Sequence, residues 1–431
     1  MNALAMELNK TLEGSSAARL LSKTGTRMYF PKGILSQSAE ANEKAKRFNA
    51  TIGMAYNSGE PMALDAIMDF LPGLSKKEAV AYAPTAGVPA TREAWKKEIL
   101  KKNPSLANTS FSLPVVVPGL TAGVSYLADM FVDEDDNVVV ADMFWPNYRL
   151  IIEERKAAKL ESYRFFSPEG GFNVAGLEKA TRDAAKARGK AIVILNYPNN
   201  PTGYTPSIKE AEAIKAALVS VADSGVDILV ISDDAYFGLQ YEENNLKESI
   251  FTRFADAHPR ILAAKVDGQT KEDYVWGFRG GFVTFAGKGL DDKAYDALVK
   301  KLMGVVRSSV SNATAPTQHI LAKAMADPRY ITQKAEYAKL LEERYRAVKS
   351  YLAAHQAPKG LKPLPFNSGY FMCFECEGFS AETLRLKLLN EEGIGVIAIQ
   401  EKWLRVAFSS VDKSQIEELF SEIFKATKAL A

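Results

Sequence analysis

Between about residues 115 and 290 the chain alternates short apolar runs with longer segments of helical periodicity, and this alternation restricts the fold more than any other feature. The runs are LPVVVPG, DNVVVAD, AIVILNYP, VDILVISDD, ILAAKVDG and GFVTFAG. Each is too short for a helix and apolar at consecutive positions, which is the pattern of a strand buried on both faces. Between them lie stretches such as NVAGLEKATRDAAKARG, with apolar residues at helical spacing. Strands separated by helices make a mostly parallel sheet covered on both sides, an α/β fold.

From Ile331 the pattern changes. ITQKAEYAKLLEERYRAVKSYLAAH reads as one long amphipathic helix leading out of the sheet domain. The remaining hundred or so residues mix extended signals, GYFMCF and WLRVAFSS, with helical ones, ETLRLKLLNEEG and SQIEELFSEIFKATKAL, which suits a smaller α+β unit. A chain of 431 residues, 47% hydrophobic and 25% charged, is long enough for both.

Fifty-four basic and 52 acidic side chains leave a net charge of +2, too weak a field to favour nucleic acid or an anionic membrane as partner. No apolar run approaches the ~20 residues of a membrane span. The opening MNALAMELNKTLEG carries Glu7 and Glu13 and lacks the charge pattern of a secretory signal, so a cytoplasmic protein is expected. The only cysteines, Cys373 and Cys376, fall three apart in one strand, on opposite faces and without a second pair, which reads as buried thiols rather than a metal or redox site. Three histidines, His258, His319 and His355, offer no metal centre. No bound metal is expected.

Open parallel sheets bind ligands beyond the carboxyl ends of their strands, so polar residues that follow the apolar runs are the first candidates. After AIVIL comes NYPNNPTG, a Pro- and Gly-forced turn that leaves the amides of Asn199 and Asn200 to hold a ligand heteroatom, or serves simply as a turn. After VDILVI comes SDDAYFGL, with Asp233 at the end of a buried strand, costly there without a cation, and Tyr236 three positions on. The next strand runs into VDGQTKEDYVWGFRGG, with Lys271 and Arg279 eight residues apart. Two cations suit an anionic ligand, and lysine can also form an imine with a carbonyl cofactor. Lys265 is a nearby rival, but it lies inside an apolar run and six residues from the position that the lysine-to-arginine spacing requires.

Taken in order, NNPTG, the DxAY of Asp233 to Tyr236, and a lysine with an arginine eight residues on resemble the fold-type-I aminotransferases of classes I and II. YAPTAGVPATREAW around Tyr82 is similar to the Tyr-x-Pro-x-x-Gly loop of the aspartate and aromatic branch, and FWPNY around Trp145 to its Trp-x-Asn segment. VRSSVSNATAP resembles the Arg-x-x-x-Ser-Asn segment and places Arg307 and Asn312; FNSGYF and WLRVAF resemble the C-terminal pair that ends in Arg405. The likeness runs from about residue 50 to 410.

The resemblance implies a large cofactor-binding domain at 63–330 with a mostly parallel seven-stranded sheet, a small α+β domain from 1–62 and 331–431, and a homodimer with shared active sites. It implies that Lys271 carries pyridoxal 5′-phosphate as a Schiff base and moves the substrate proton. By the same resemblance Asp233 pairs with the ring nitrogen, Tyr236 and Asn200 hold the phenolic oxygen, and Trp145 stacks on the ring and lines the substrate side with Asn200. Leu120 and Thr121, in the helix-opening turn PGLTAG, hold the phosphate together with Arg279 and with Tyr82 from the partner. Gly268 stands where the family has a phosphate-binding serine, and Thr270 is expected to compensate. Arg405 would take the α-carboxylate of the substrate, and Arg307 the distal carboxylate across the dimer. Gly53 and Met54 compete for one family position, and neither is assigned. The implied activity is ping-pong transamination of an amino acid, first aspartate, with 2-oxoglutarate. The alternatives are an aromatic amino acid aminotransferase or a pyridoxal-phosphate lyase or decarboxylase on the same scaffold. A DNA-binding regulator built on the scaffold is disfavoured by the short, weakly basic segment ahead of residue 50.

Overall fold

The computed structural model describes residues 1–13, 21, 23–27, 34–51 and 53–430. Parts of the N-terminal stretch expected in the small domain, and Ile52 in the TIGMAYNSG loop, lie outside the described residues. The apolar runs form six strands of one seven-stranded sheet: β1 (Val115–Val117), β2 (Asn137–Ala141), β4 (Lys190–Asn196), β5 (Asp227–Asp233), β6 (Ile261–Asp267) and β7 (Gly281–Gly287). The seventh, β3 (Lys159–Tyr163), has the sequence KLESY and shows no apolar run. It is an edge strand whose charged side chains face water, which keeps an open edge from pairing with another chain. The order is β1-β7-β6-β5-β4-β2-β3; β7 runs antiparallel to both neighbours and the other pairs are parallel.

Strand side chains alternate between faces, and here the alternation separates two cores. Val138, Val140, Ile192, Ile194, Leu229 and Ile231 join Val124 and Leu127 of helix α1 (Leu120–Phe131) on one side. Val139, Val193, Leu195 and Val230 join Leu177 of α2 (Val174–Ala185) and Ile214 and Leu218 of α3 (Ile208–Asp223) on the other. Local signals set the helix starts: Asn173 caps α2 by accepting from Gly176 N at 2.9 Å, and Ser207 with Glu210 forms a capping box on α3.

The chain leaves the sheet through α4 (Asp292–Ser309) and α5 (Ala315–Ala326), then the 26-residue α6 (Arg329–Ala354). A four-stranded antiparallel sheet follows, β8 (Leu361–Pro363), β9 (Phe371–Cys376), β10 (Ile397–Ile399) and β11 (Trp403–Ala407), in the order β8-β9-β11-β10, with α7 (Ala381–Glu392) packed on it and α8 (Ile416–Lys428) against α6 and α7, its Phe420 and Phe424 meeting Phe374 of β9. Residues Phe48–Asn49 pair in parallel with Ile394–Gly395, so an N-terminal segment returns to this smaller unit. Cys373 and Cys376 are buried on opposite faces of β9, and burial pushes both thiols up to about 12.

The NNPTG turn meets β9 at one tight joint. Gly203 has φ +70°, its carbonyl accepts from Asn367 N and Ser368 N at 2.9 Å each, and a Cβ there would lie 1.9 Å from the carbonyl oxygen of Phe371. Gly203→Ala combines left-handed strain with a backbone clash and should cost about 2–5 kcal/mol. Gly189→Ala, at φ +65° with no atom of the described residues within 4 Å of its Cβ position, should cost only about 1–2 kcal/mol. Urea unfolding of the two variants side by side measures the difference.

Candidate active site

Strands β4 and β5 end side by side with Asn196 opposite Asp233, and both side chains reach a cavity of about 170 Å³ at the carboxyl edge of the sheet. Leu120, Thr121, Trp145, Asn200, Tyr236, Lys271 and Arg405 line the same cavity. The two-sided burial of the sheet explains the location: polar groups that cannot sit within the strands collect where the strands stop.

Asp233 is 4% exposed. It accepts a short hydrogen bond from the Tyr148 hydroxyl and another from Ala235 N at 3.2 Å. Burial pushes its carboxyl up from the ordinary range; the Tyr148 bond and the positive charges of Lys271 and Lys265 pull it back. Lys271 sits in the short helical turn Gln269–Glu272 that follows β6, with Nζ 5.0 Å from the centre of the Tyr236 ring. Burial lowers its amine to about 8, against the pull of Asp233 and with help from the Arg279 charge. An amine in that range holds and releases a proton near neutral pH.

Arg405, on β11, is 2% exposed. Its Nη1 donates to Asn200 Oδ1 at 2.9 Å and its Nη2 to Thr51 O at 3.0 Å, while its Nε is buried without a partner among the described residues. The guanidinium carbon lies 4.3 Å from the centre of the Phe371 ring. Asn200 N in turn donates to Asn196 Oδ1 at 2.8 Å, and Asn196 Nδ2 to Asp233 O at 2.8 Å, so one hydrogen-bonded line runs from Arg405 to the Asp233 backbone. Tyr236 packs edge-on against Tyr370 and Phe371, and burial raises its hydroxyl above the ordinary tyrosine range.

Leu120 and Thr121 open α1, whose first-turn N–H groups lack intrahelical partners. Gly119 before them has φ +91°, and a Cβ there would lie 2.5 Å from Arg279 Nη2, so the glycine lets the guanidinium lie against the helix start. Arg279, itself at φ +53° and exposed, donates to Trp276 O at 3.1 Å. Gly268 has no room for a side chain: its Cβ would meet Gly280 O and Gly281 Cα at 2.7 Å each. Thr270 is buried and its hydroxyl donates to Gly280 O at 3.1 Å.

Four of the expected residues do not line the cavity: Thr270 and Arg279 stand beside it, and two lie elsewhere on the chain. Tyr82 is 91% exposed, and Arg307 is exposed in the last turn of α4; neither lines the cavity. Asn199 differs from its expected ligand role, since its Oδ1 accepts from Thr202 N at 3.0 Å and Thr202 Oγ1 at 2.7 Å and thereby holds the turn. Residues that sequence reasoning passed over are Asn196, Phe371 and Tyr148, and Gly53, left unassigned beside Met54, lines the cavity. Asn196 was available from the rule that selected Asp233, a polar residue closing a buried strand. Nothing local marked Tyr148 as the partner of a carboxylate 85 residues away. Among the described residues no group of His, Cys, Asp and Glu could hold a metal, and no helix is long and apolar enough to cross a membrane.

Residues 54–423 match the family model described as aminotransferase class I and II. The chain is 28% identical over 311 residues to the probable aspartate/prephenate aminotransferase of Aquifex aeolicus, a match that covers 69% of this chain and 70% of that protein. It is 25% identical over 317 residues to the aspartate/prephenate aminotransferase of Thermus thermophilus, covering 73% and 74%. In fold it is similar to a crystal structure of an aminotransferase from Anaerococcus prevotii, with a TM-score of 0.84, 22% identity, and coverage of 95% of this chain and 100% of that one. A family match over most of the chain, on a fold-type-I architecture, means that the protein belongs to the class I and II aminotransferases, the pyridoxal-phosphate-dependent transaminases.

Proposed function

We propose that this transaminase moves the amino group between aspartate, or a similar amino acid, and 2-oxoglutarate by a ping-pong mechanism, with pyridoxal phosphate held on Lys271. One observation carries the reading: the amine of Lys271, the buried carboxylate of Asp233 and the buried guanidinium of Arg405 face one cavity. The donor set fits the cofactor, since it offers an amine near neutrality, a carboxylate for a ring nitrogen, and a helix start flanked by an arginine for a phosphate. Bound there, pyridoxal phosphate supplies a carbonyl that takes the amino group and a ring that accepts electron density from the substrate α-carbon.

The residues divide the remaining work. Lys271 Nζ would take the proton from the substrate α-carbon and deliver it to the carbon that carried the cofactor's carbonyl. Asp233, steadied by Tyr148, would keep a proton on the ring nitrogen. Tyr236 and Asn200 would hold the phenolic oxygen, and Trp145 and Phe371 would cover the ring and keep water out. Leu120, Thr121 and Arg279 would hold the phosphate, with Thr270 fixing the loop through Gly280 in place of the hydroxyl that Gly268 lacks. Arg405 would bind the α-carboxylate.

A homodimer would bring Tyr82 and Arg307 to the partner's cavity, the first to the phosphate and the second to the distal carboxylate of the substrate. Their exposure supports this, as does the exposure of Met68, Leu71 and Val80 in the stretch that packs on α5. We assign residues 1–62 and 331–431 to the small domain and 63–330 to the large one, on the pairing of Phe48–Asn49 with Ile394–Gly395. Aspartate and prephenate, named for the relatives, each carry a carboxylate beyond the reacting centre, which favours a dicarboxylic substrate. An aromatic amino acid is the second reading, supported by the rings of Trp145, Tyr236 and Phe371 in the cavity wall.

Borohydride treatment of the yellow protein should fix the cofactor to the peptide that contains Lys271; label on another lysine overturns the assignment. Asp233→Ala should retain the cofactor, held by imine and phosphate, yet lose turnover by roughly three or more orders of magnitude, as followed by half-reaction spectra. Arg307→Ala should lower kcat/KM for aspartate and glutamate by roughly 10²–10³ and spare phenylalanine, whereas Arg405→Ala should harm all amino acids alike. Equal losses for acidic and neutral substrates in the Arg307 variant would transfer the assignment to aromatic or general transamination.

A further inference from the structure

Directly behind the cavity lies a sealed charge cluster. Asp233 faces the cavity, and the period of two turns the next side chain, Asp234, to the opposite side of the sheet. There Asp234 Oδ2 lies 2.5 Å from Lys265 Nζ, which is also 2.7 Å from Asp267 Oδ2 and 5.3 Å from the centre of the Phe237 ring. Ser249 Oγ donates to Asp234 Oδ2 at 2.6 Å and Trp95 Nε1 to Asp267 Oδ1 at 3.0 Å. Lys265, Asp234 and Asp267 are 1%, 2% and 3% exposed, so no water competes for these bonds.

We propose that Lys265 is the positioning residue of the active site: it ties the end of β5, which delivers Asp233, to the end of β6, which leads into Lys271. This rests on the roles given to Asp233 and Lys271 above. The tie sits at the last rung between the strands, where Asp234 N donates to Val266 O at 2.9 Å. From Asp267 the chain reaches Lys271 through Gly268, pressed against the backbone of Gly280 and Gly281, and through Thr270, bonded to Gly280 O. A shift of Asp267 therefore carries Lys271 with it.

A purely stabilising role fits the cluster poorly. Two buried carboxylates share one ammonium, burial pushes the Asp234 carboxyl up to about 6, and apolar side chains of similar volume hold a fold as well as a buried ion pair, or better. Ionic and hydrogen-bonded contacts add direction, fixing two strand ends in one geometry. The Lys265 charge also helps to keep Asp233 ionised, and its two aspartates raise its own pKa so that it stays charged.

The test compares wild type with the charge-free variant Lys265→Met/Asp234→Asn/Asp267→Asn, which retains acceptors for Ser249 and Trp95. In the cofactor-free full-length protein, the pH dependence of Lys271 acetylation by acetic anhydride, read by mass spectrometry, reports the titration of its amine beside Asp233, Arg279 and Tyr236. The variant should melt near wild type, yet its Lys271 midpoint should fall by about one pH unit as Asp233 is displaced. Its kcat in the loaded enzyme should fall roughly ten- to a hundredfold with KM for the amino acid little changed. An unchanged midpoint and kcat, with or without a lower melting temperature, overturns the proposal. If the triple variant does not fold, Asp234→Asn alone should move the midpoint in the same direction, and no movement overturns it equally. The titration needs no cofactor, so a failed borohydride label on wild-type Lys271 would sink the cofactor reading without blurring this result.

Discussion

A parallel sheet covered on both faces leaves its polar side chains one main place to go, the carboxyl ends of its strands, and the rest of this structure follows from that constraint. β4 ends in Asn196, β5 in Asp233 and β6 in Asp267. Three neighbouring strands thus bring hydrogen-bonding and charged groups to one edge, and the turn after each strand supplies Asn200, Tyr236 and Lys271. Helix α1 adds its open N-terminus at the same edge. The site is a consequence of where apolar runs must stop.

Low polarity around that edge decides how its charges behave. Among the described residues no carboxylate is in hydrogen-bond contact with Lys271, and burial brings its amine to about 8. Lys265, six residues earlier, is the more deeply buried of the two, yet its two aspartates raise its pKa. The same side chain is thus drawn towards neutrality at one position and held charged at the other. Pairing makes the difference, and strand alternation sets the pairing by sending Asp233 to one face and Asp234 to the other.

The second unit completes the cavity. Arg405 comes from β11 yet spends one donor on Asn200 of the large sheet and another on Thr51 of the N-terminal segment. Gly203 lets the turn that carries Asn200 lie against β9 without a clash. A guanidinium held on both sides in this way is oriented before any ligand arrives, which lowers the ordering cost of binding a carboxylate.

Much of this was legible in the order of residues. Six of the seven large-sheet strands follow from their apolar runs, and Asp233, Asn200 and Lys271 stand where polar residues follow those runs. β3 escaped notice because an edge strand has one wet side and carries charge where a central strand carries valine. Lys265 looked like a lone cation in an apolar strand, since its partners Asp234 and Asp267 become partners only when β5 and β6 pair and fix which face each side chain occupies. Tyr148 is separated from Asp233 by 85 residues and reaches it only through the packing of separate segments beside the sheet. The sequence by itself determined six of the seven large-sheet strands, the main helices and most of the candidate groups at the strand ends, because periodicity and turn chemistry are local. Only the tertiary structure decided which buried charges are paired, because pairing depends on distances that the chain order does not contain.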